Sequence, residues 1–448
     1  SLHSRKPRAP ADMTLARPLP PGSKGFNTHV KKLASHVSIG ELGTLDSGDK
    51  SSSSTNQFEA ARKISYTCKD SLGRVFDVKE LRNRRLDGVM RGISYMHQFL
   101  RKHKYRNLHS IGDDAPSIFF EMWYTSADSR VRTNCRAIAA ELLEQLEKKV
   151  MAKTEYSRDD FFEIMYLLRI KHEMELPHEE LLERADTIYV ALDFSNTDEM
   201  FDVPLCQLND VKTGPWLMLL MRILIVEYNN LIFPKRFPVL WGLKHAFLAL
   251  RQHRLTGPNG GDNFHDSFFL ATHICYALSA YCATKTKENE VKWLWKYLRT
   301  SLKYWMGEAR LREKEHAKAK AEGVEPPFRY VDIDGVAEVI DVLRGCGKTP
   351  AGDTLICEAT VWLLDTQRKC GSWPLWFNHG KGEGDSDTSA YDLLHPTWVA
   401  TQALRDRDFK LLRHGNQLWD KWVHKLVKQT DFNHLEYEAP WMKSRKKK

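Results

Sequence analysis

The chain has 448 residues, 42% hydrophobic and 28% charged, which is ordinary for a globular protein and ample for a large core. The formal net charge is +9, but residues 1–75 hold 12 Lys/Arg against 6 Asp/Glu and the last six residues add five cations, leaving −2 for the stretch between. That distribution argues against nucleic-acid binding by the core and places the basicity in the ends, where an anionic partner, a membrane surface or a targeting role would use it.

Residues 1–55 read as a disordered or extended basic tail, with PLPPGSKG, the run Ser51–Ser54 and little periodicity. Residues 1–25 hold Asp12 as their one acid; they are either what a removed targeting peptide leaves behind or a plain tail. A segment such as HVKKLASHV is suited to docking on a protein assembly partner. Helical periodicity then fills a single domain, residues 56–430, and predicts helices over 76–104, 115–126, 130–152, 158–171, 177–191, 213–230 and 236–253. Further helices are predicted over 265–283, 287–306, 333–345, 352–367, 389–406 and 414–428. IYVALDF at 188–194 is the one serious strand competitor, and Arg310–Glu322 reads as an exposed helix extension. Residues 431–448 form a second basic tail.

The most apolar run, residues 216–226, contains Arg222 and is about half the roughly 20 residues a membrane span needs, so it reads as a buried core helix. Eight scattered cysteines form no CxxC pair, which predicts free buried thiols in a reducing, intracellular compartment, cytoplasmic or organellar.

The second half has a rhythm. Helix starts fall near Asp266, Asp334 and His395, spaced 68 and 61 residues, with another helix after each. Repeated antiparallel hairpins predict an all-α solenoid or closed α/α toroid, one helix of each pair inside and one outside. In a toroid the inner helices point their N-termini, with their unpaired N–H groups, toward one end of a central cavity. The segments at these starts, NFHDSFF, VDIDGVA and DLLHPTW, all bring Asp or His.

Two local patterns carry a resemblance. TQRKCGSW, with Gln367, Gly371 and Trp373, fits QxxxGxW, and VDIDGVAEVIDVLR at 331–344 resembles a DxDD segment whose fourth position here is Gly335. Both resemble squalene and terpene cyclases, which share the α/α-toroid fold with protein prenyltransferase β subunits. HPTWVATQALRD at 395–406 is similar in character to their inner helices. The resemblance covers roughly residues 260–430. It implies Asp334 as a protonating acid, Asp332 as its partner, and an apolar, lipid-like or isoprenoid substrate.

Each candidate also has a plainer reading, and both stay open in the sequence. Asp266 and His273, seven apart, share a helix face about 10 Å apart. With His265 they offer a divalent metal three donors, or substrate contacts, or else a cap and a hydrogen-bonded core histidine. Asp332 and Asp334 are caps or acids, and Glu338, one turn after Asp334, would share a proton with it and suit a general acid. His395 is a helix-start residue or a catalytic one. Trp373 and Trp398 are core aromatics or faces for a carbocation. Two functions remain: an enzyme using acid–base or metal-assisted chemistry on an apolar substrate, and a non-catalytic scaffold subunit derived from such a fold.

Overall fold

A computed structural model describes residues 67–432, apart from 195–196, 202–212, 240, 251–252, 254, 259–261, 326–330, 375–388 and 410–413. The expected tail 1–55, the loop 378–387 and nearly all of the C-terminal tail lie outside the described residues. The described chain is all-α except for one antiparallel hairpin, β1 (Thr67–Lys69) with β2 (Val75–Asp77), in which Cys68 pairs with Phe76. No helix among the described residues is long and apolar enough to cross a membrane.

Helices follow in hairpin order. They are α1 (Val78–Ile111), α2 (Asp114–Thr125), α3 (Ser129–Met151), α4 (Arg158–Glu173), α5 (Glu179–Ala191), the single-turn α6 (Thr197–Phe201) and α7 (Thr213–Ile232). After them come α8 (Leu243–Leu250), α9 (Asp262–Ser279), α10 (Lys292–Glu322), α11 (Ile333–Gly345), α12 (Thr354–Asp365), α13 (Ala390–Leu404) and α14 (His414–Gln429). Their starts are built from short polar caps: Asp77, Asp128, Ser157, Asp332, Asp353 and Ser389 each accept a first-turn N–H.

Six helices form a closed ring: α2 packs on α4, α4 on α7, α7 on α9, α9 on α11, α11 on α13, and α13 on α2. The remaining long helices pack outside, α3 on α2, α5 on α4, α8 and α14 on α7, α10 and α12 on α11, and α1 on α13. Composition explains the division. Every residue of α2 after Asp114 is buried, and α11 is buried at all but Asp334, so these helices have no solvent face. Outer helix α3 is instead striped, with Val131, Cys135, Ile138, Leu142 and Leu146 buried one turn apart.

The 310–322 stretch is a helix extension, as expected: α10 runs unbroken to Glu322 and stops where Gly323 turns left-handed at φ 65°. The helix expected over 177–191 forms as far as Ala191, in place of the competing strand at 188–194. The helix starts need adjusting. Helix α9 starts three residues earlier than predicted, and α13 starts at Ala390, so Asp266 and His395 lie inside helices and cap neither. Pro396 is therefore within α13, where a helix loses one backbone hydrogen bond.

The C-terminal halves of the inner helices are tied by buried polar groups. Arg405, just beyond α13, bonds Asp341 of α11 at 3.0 Å and the hydroxyl of Thr125 at the end of α2. Gln402 donates to Glu121, whose carboxyl burial pushes up to about 8. Arg169 of α4 donates to the Ala280 carbonyl and lies against the rings of Phe120, Tyr228 and Tyr281. These links set the relative heights of α2, α4, α9, α11 and α13, which positions the side chains on their opposite, N-terminal halves.

Candidate functional site

The acids and histidines of the N-terminal halves meet on α9, α11 and α13. Asp334 and Glu338 stand one turn apart on the same face of α11. His395, in the second turn of α13, brings its Nδ1 to 2.9 Å from Asp334 Oδ2. One donor atom from each of Asp334, Glu338 and His395 lies within 4.8 Å of the other two. The second Asp334 oxygen, Oδ1, is buried and has no hydrogen-bond partner.

Charge states follow from these neighbours. Burial opposes the His395 cation, but its ion pair and hydrogen bond with Asp334, helped by Glu338 and Asp114, raise it to about 9. Glu338 is held well above the carboxylate range, first by burial and then by the charge of Asp334. The Thr272 hydroxyl, which lies 2.5 Å from Glu338 Oε2 and 2.8 Å from the Phe269 carbonyl, donates to the carboxyl and pulls the other way without overcoming these two effects.

His273 is in the opposite state. Burial, reinforced by the nearby His395, lowers it to about 4 against the pull of its bond to Phe269. Its Nδ1 lies 2.8 Å from that carbonyl and 3.9 Å from Glu338 Oε2. A carbonyl only accepts, so Nδ1 carries the proton and Nε2 is left with a bare lone pair. The site thus pairs a protonated carboxyl and an imidazolium with a neutral imidazole, the separation of titrations that assigns acid and base roles.

Aromatic rings border these groups. Tyr391, 41% exposed, stacks on His395 at 4.8 Å, and Trp398 meets the same ring edge-on at 5.0 Å. Phe269 meets the ring of His265 edge-on at 4.8 Å.

The other candidates divide. Asp332 is spent on structure: one oxygen accepts the Gly335 N–H and the other bonds His265 Nε2 at 2.8 Å. The proposed metal set His265, Asp266 and His273 is not assembled, because Asp266 points to solvent from inside α9 and His265 turns to Asp332. Asp334 and Glu338 with His395, on two different helices, take that place. Trp373 is 1% exposed, donates from Nε1 to the Leu363 carbonyl and from its backbone to Thr397, and serves the core and not a substrate face. The rest of the QxxxGxW segment is a clasp. Gln367 donates to the carbonyls of Gly88 and Gly371, and Gly371, at φ 99°, has the Arg91 carbonyl where a Cβ would stand.

Gly335, in the fourth position of the DxDD-like segment, has a steric reason. A Cβ there would lie 2.5 Å from the Phe268 ring, so α9 and α11 approach too closely for any side chain. Glu338 supplies a second carboxylate one turn later instead.

Asp113 and Asp114, at the start of α2, were not anticipated. Burial raises Asp114 to about 6, against the pull of His395, and raises Asp113 well above its usual range. The available signal was GDDAPSIFF, an acid pair before Pro and an apolar helix, in the first half where no repeat register was assigned. Compared with protein-family models, curated proteins and solved structures, the chain matches none.

Proposed function

We propose that this protein is an α/α-toroid enzyme that protonates an apolar, lipid-like substrate at the N-terminal ends of its inner helices. The observation that carries the reading is the placement of Glu338, Asp334 and His395 within 4.8 Å of one another, beside the neutral His273. Glu338 is the general acid. Asp334 holds His395 as a cation, and that cation supports re-protonation of the site after turnover. Tyr391 and Trp398 offer ring faces to positive charge developing on the substrate. His273 Nε2 removes a proton at the end, so the reaction is a net isomerisation that consumes nothing. The resemblance to squalene and terpene cyclases supports an isoprenoid alkene or its epoxide as substrate, with Glu338 in place of the acid that Gly335 leaves no room for.

A second reading has its own observation. Two carboxylate oxygens and one imidazole nitrogen within 4.8 Å, with Asp334 Oδ1 unpartnered, form a donor set suited to a divalent cation such as Mn, Fe or Zn. Bound there, a cation would supply Lewis-acid chemistry in place of the protonated carboxyl.

The two are separated by incubating the purified protein with linear polyprenes and their epoxides in D₂O, with and without chelator. Deuterated products of otherwise unchanged composition, lost in Glu338→Gln and insensitive to chelator, support the first reading. Turnover that needs metal, with stoichiometric metal in elemental analysis, supports the second. Absence of turnover under both conditions refutes both and leaves the non-catalytic scaffold.

A further inference from the structure

A second polar feature lies at the opposite ends of α2 and α13, away from the proposed acid–base site and independent of it. A cleft of about 250 Å³ opens between the first turns of α1, the α2–α3 turn and residues 404–406. Five basic side chains line it, Lys79, Arg82, Arg85, Arg130 and Arg405, against two carboxylates, Asp128 and Asp406.

Both carboxylates are already committed. Asp406 takes Arg82 at 2.8 Å and Arg85 at 2.6 Å, while Asp128 accepts the first amides of α3 and pairs with Arg130. Three buried donors, on residues that line the cleft, have no partner. Arg85 spends its terminal nitrogens on Asp406 and the Leu404 carbonyl, and its Nε has no partner. Arg405 spends Nε on Thr125 and Nη1 on Asp341, and its Nη2 has no partner. Ser126, 1% exposed, has an unpartnered Oγ. Both arginines are also at least nine-tenths buried, and Lys79 has no acidic partner among the described residues.

The charge behind the cleft is unbalanced too. Among the described residues, the buried side chains of Arg85, Arg344, Arg405 and Arg407 make their ion pairs with two carboxylates, Asp341 and Asp406. Buried cations without counter-charge are costly, and unsatisfied buried donors add to that cost.

We propose that this cleft binds a phosphate group carried by a small molecule. The free donors come from three separate segments, α1, the α2–α3 turn and the residue after α13. A flat carboxylate presents two oxygens in one plane, whereas a phosphate presents oxygens in several directions and accepts strongly from arginine forks. An added dianion also balances the two surplus buried guanidinium charges.

The test uses the full chain and isothermal titration with inorganic phosphate and with diphosphate at constant ionic strength, with acetate as control. Saturable one-site binding of either phosphate, absent for acetate, is expected. Ser126→Ala removes a hydroxyl that pairs with nothing else, so the unliganded melting temperature should hold while affinity falls on the order of ten-fold. Lys79→Ala, at an exposed position, should do the same. A soluble phosphate and a lipid headgroup share this chemistry. Cosedimentation with phosphatidate vesicles that Ser126→Ala abolishes assigns the headgroup, and binding confined to the soluble anions assigns a soluble ligand. No saturable binding of either anion, or binding that both variants leave unchanged, overturns the proposal.

Discussion

Replacing Asp334 with Asn tests the electrostatics of the candidate site directly. In the native protein Asp334 is the main group that overcomes the burial of His395 and raises it from 6.5 to about 9. The gap, at about 1.4 kcal/mol per pH unit, is on the order of 3 kcal/mol, a ceiling because Glu338 and Asp114 contribute to it. An unfolded histidine loses its proton near 6.5, while the folded one keeps it to about 9. The stabilisation is therefore complete below pH 6.5 and is lost as pH rises through 9. In Asp334→Asn the opposing burial dominates, His395 becomes neutral, and this fall disappears. Glu121 and Glu227, both raised to about 8 by burial, also titrate in the window but cancel in the difference between the two proteins, whereas Glu338, raised in part by the charge of Asp334, is raised less in the variant and adds to the difference in the same direction. Urea unfolding of native and variant protein from about pH 6 to about pH 9.5, in chelator, gives the two curves. They should converge as pH rises. Parallel curves, or a native His395 that titrates at or below 6.5 by ring NMR, would refute the assignment of His395 as a cation held by Asp334.

Other consequences are equally specific. Glu338→Gln keeps the size of a neutral carboxyl, so stability at neutral pH should change by less than about 1 kcal/mol while proton transfer is lost; a large destabilisation would mean that Glu338 is ionised. Gly335→Asp, which completes the DxDD pattern, should cost on the order of 1–3 kcal/mol through its clash with Phe268, and a neutral result by urea unfolding would contradict the packing of α9 on α11. Asp341→Asn leaves Arg405 and Arg407 without their shared carboxylate and should destabilise by about 3–5 kcal/mol, measured the same way. Gly371→Ala should lower stability by on the order of 2 kcal/mol, through its left-handed φ and the Arg91 carbonyl, and leave the His395 titration unmoved, because the QxxxGxW clasp does not touch the site.

Helix positions were readable because their signals are local. An amphipathic stripe such as Val131 to Leu146, or a capping pair such as Ser157 and Asp160, is written within a few turns and needs no partner to interpret. The three-fold rhythm after residue 260 was readable for the same reason, and its helix starts do supply Asp334 and His395. The first half offered no such register, so Asp113 and Asp114 escaped notice although they stand at an equivalent helix start.

Sequence alone determined that the chain is helical and that acids and histidines gather near helix starts. It could not decide which of those side chains meet. Asp266 and His273 share a spacing, yet Asp266 is exposed while His273 bonds the Phe269 carbonyl. His395 and Asp334, 61 residues apart, touch because α11 and α13 pack side by side with their ends fixed by Arg405 and Asp341. The same holds for charge state. A carboxyl such as Glu338 becomes an acid by burial beside Asp334, and burial belongs to the closed ring, a property of six helices together that no one segment encodes.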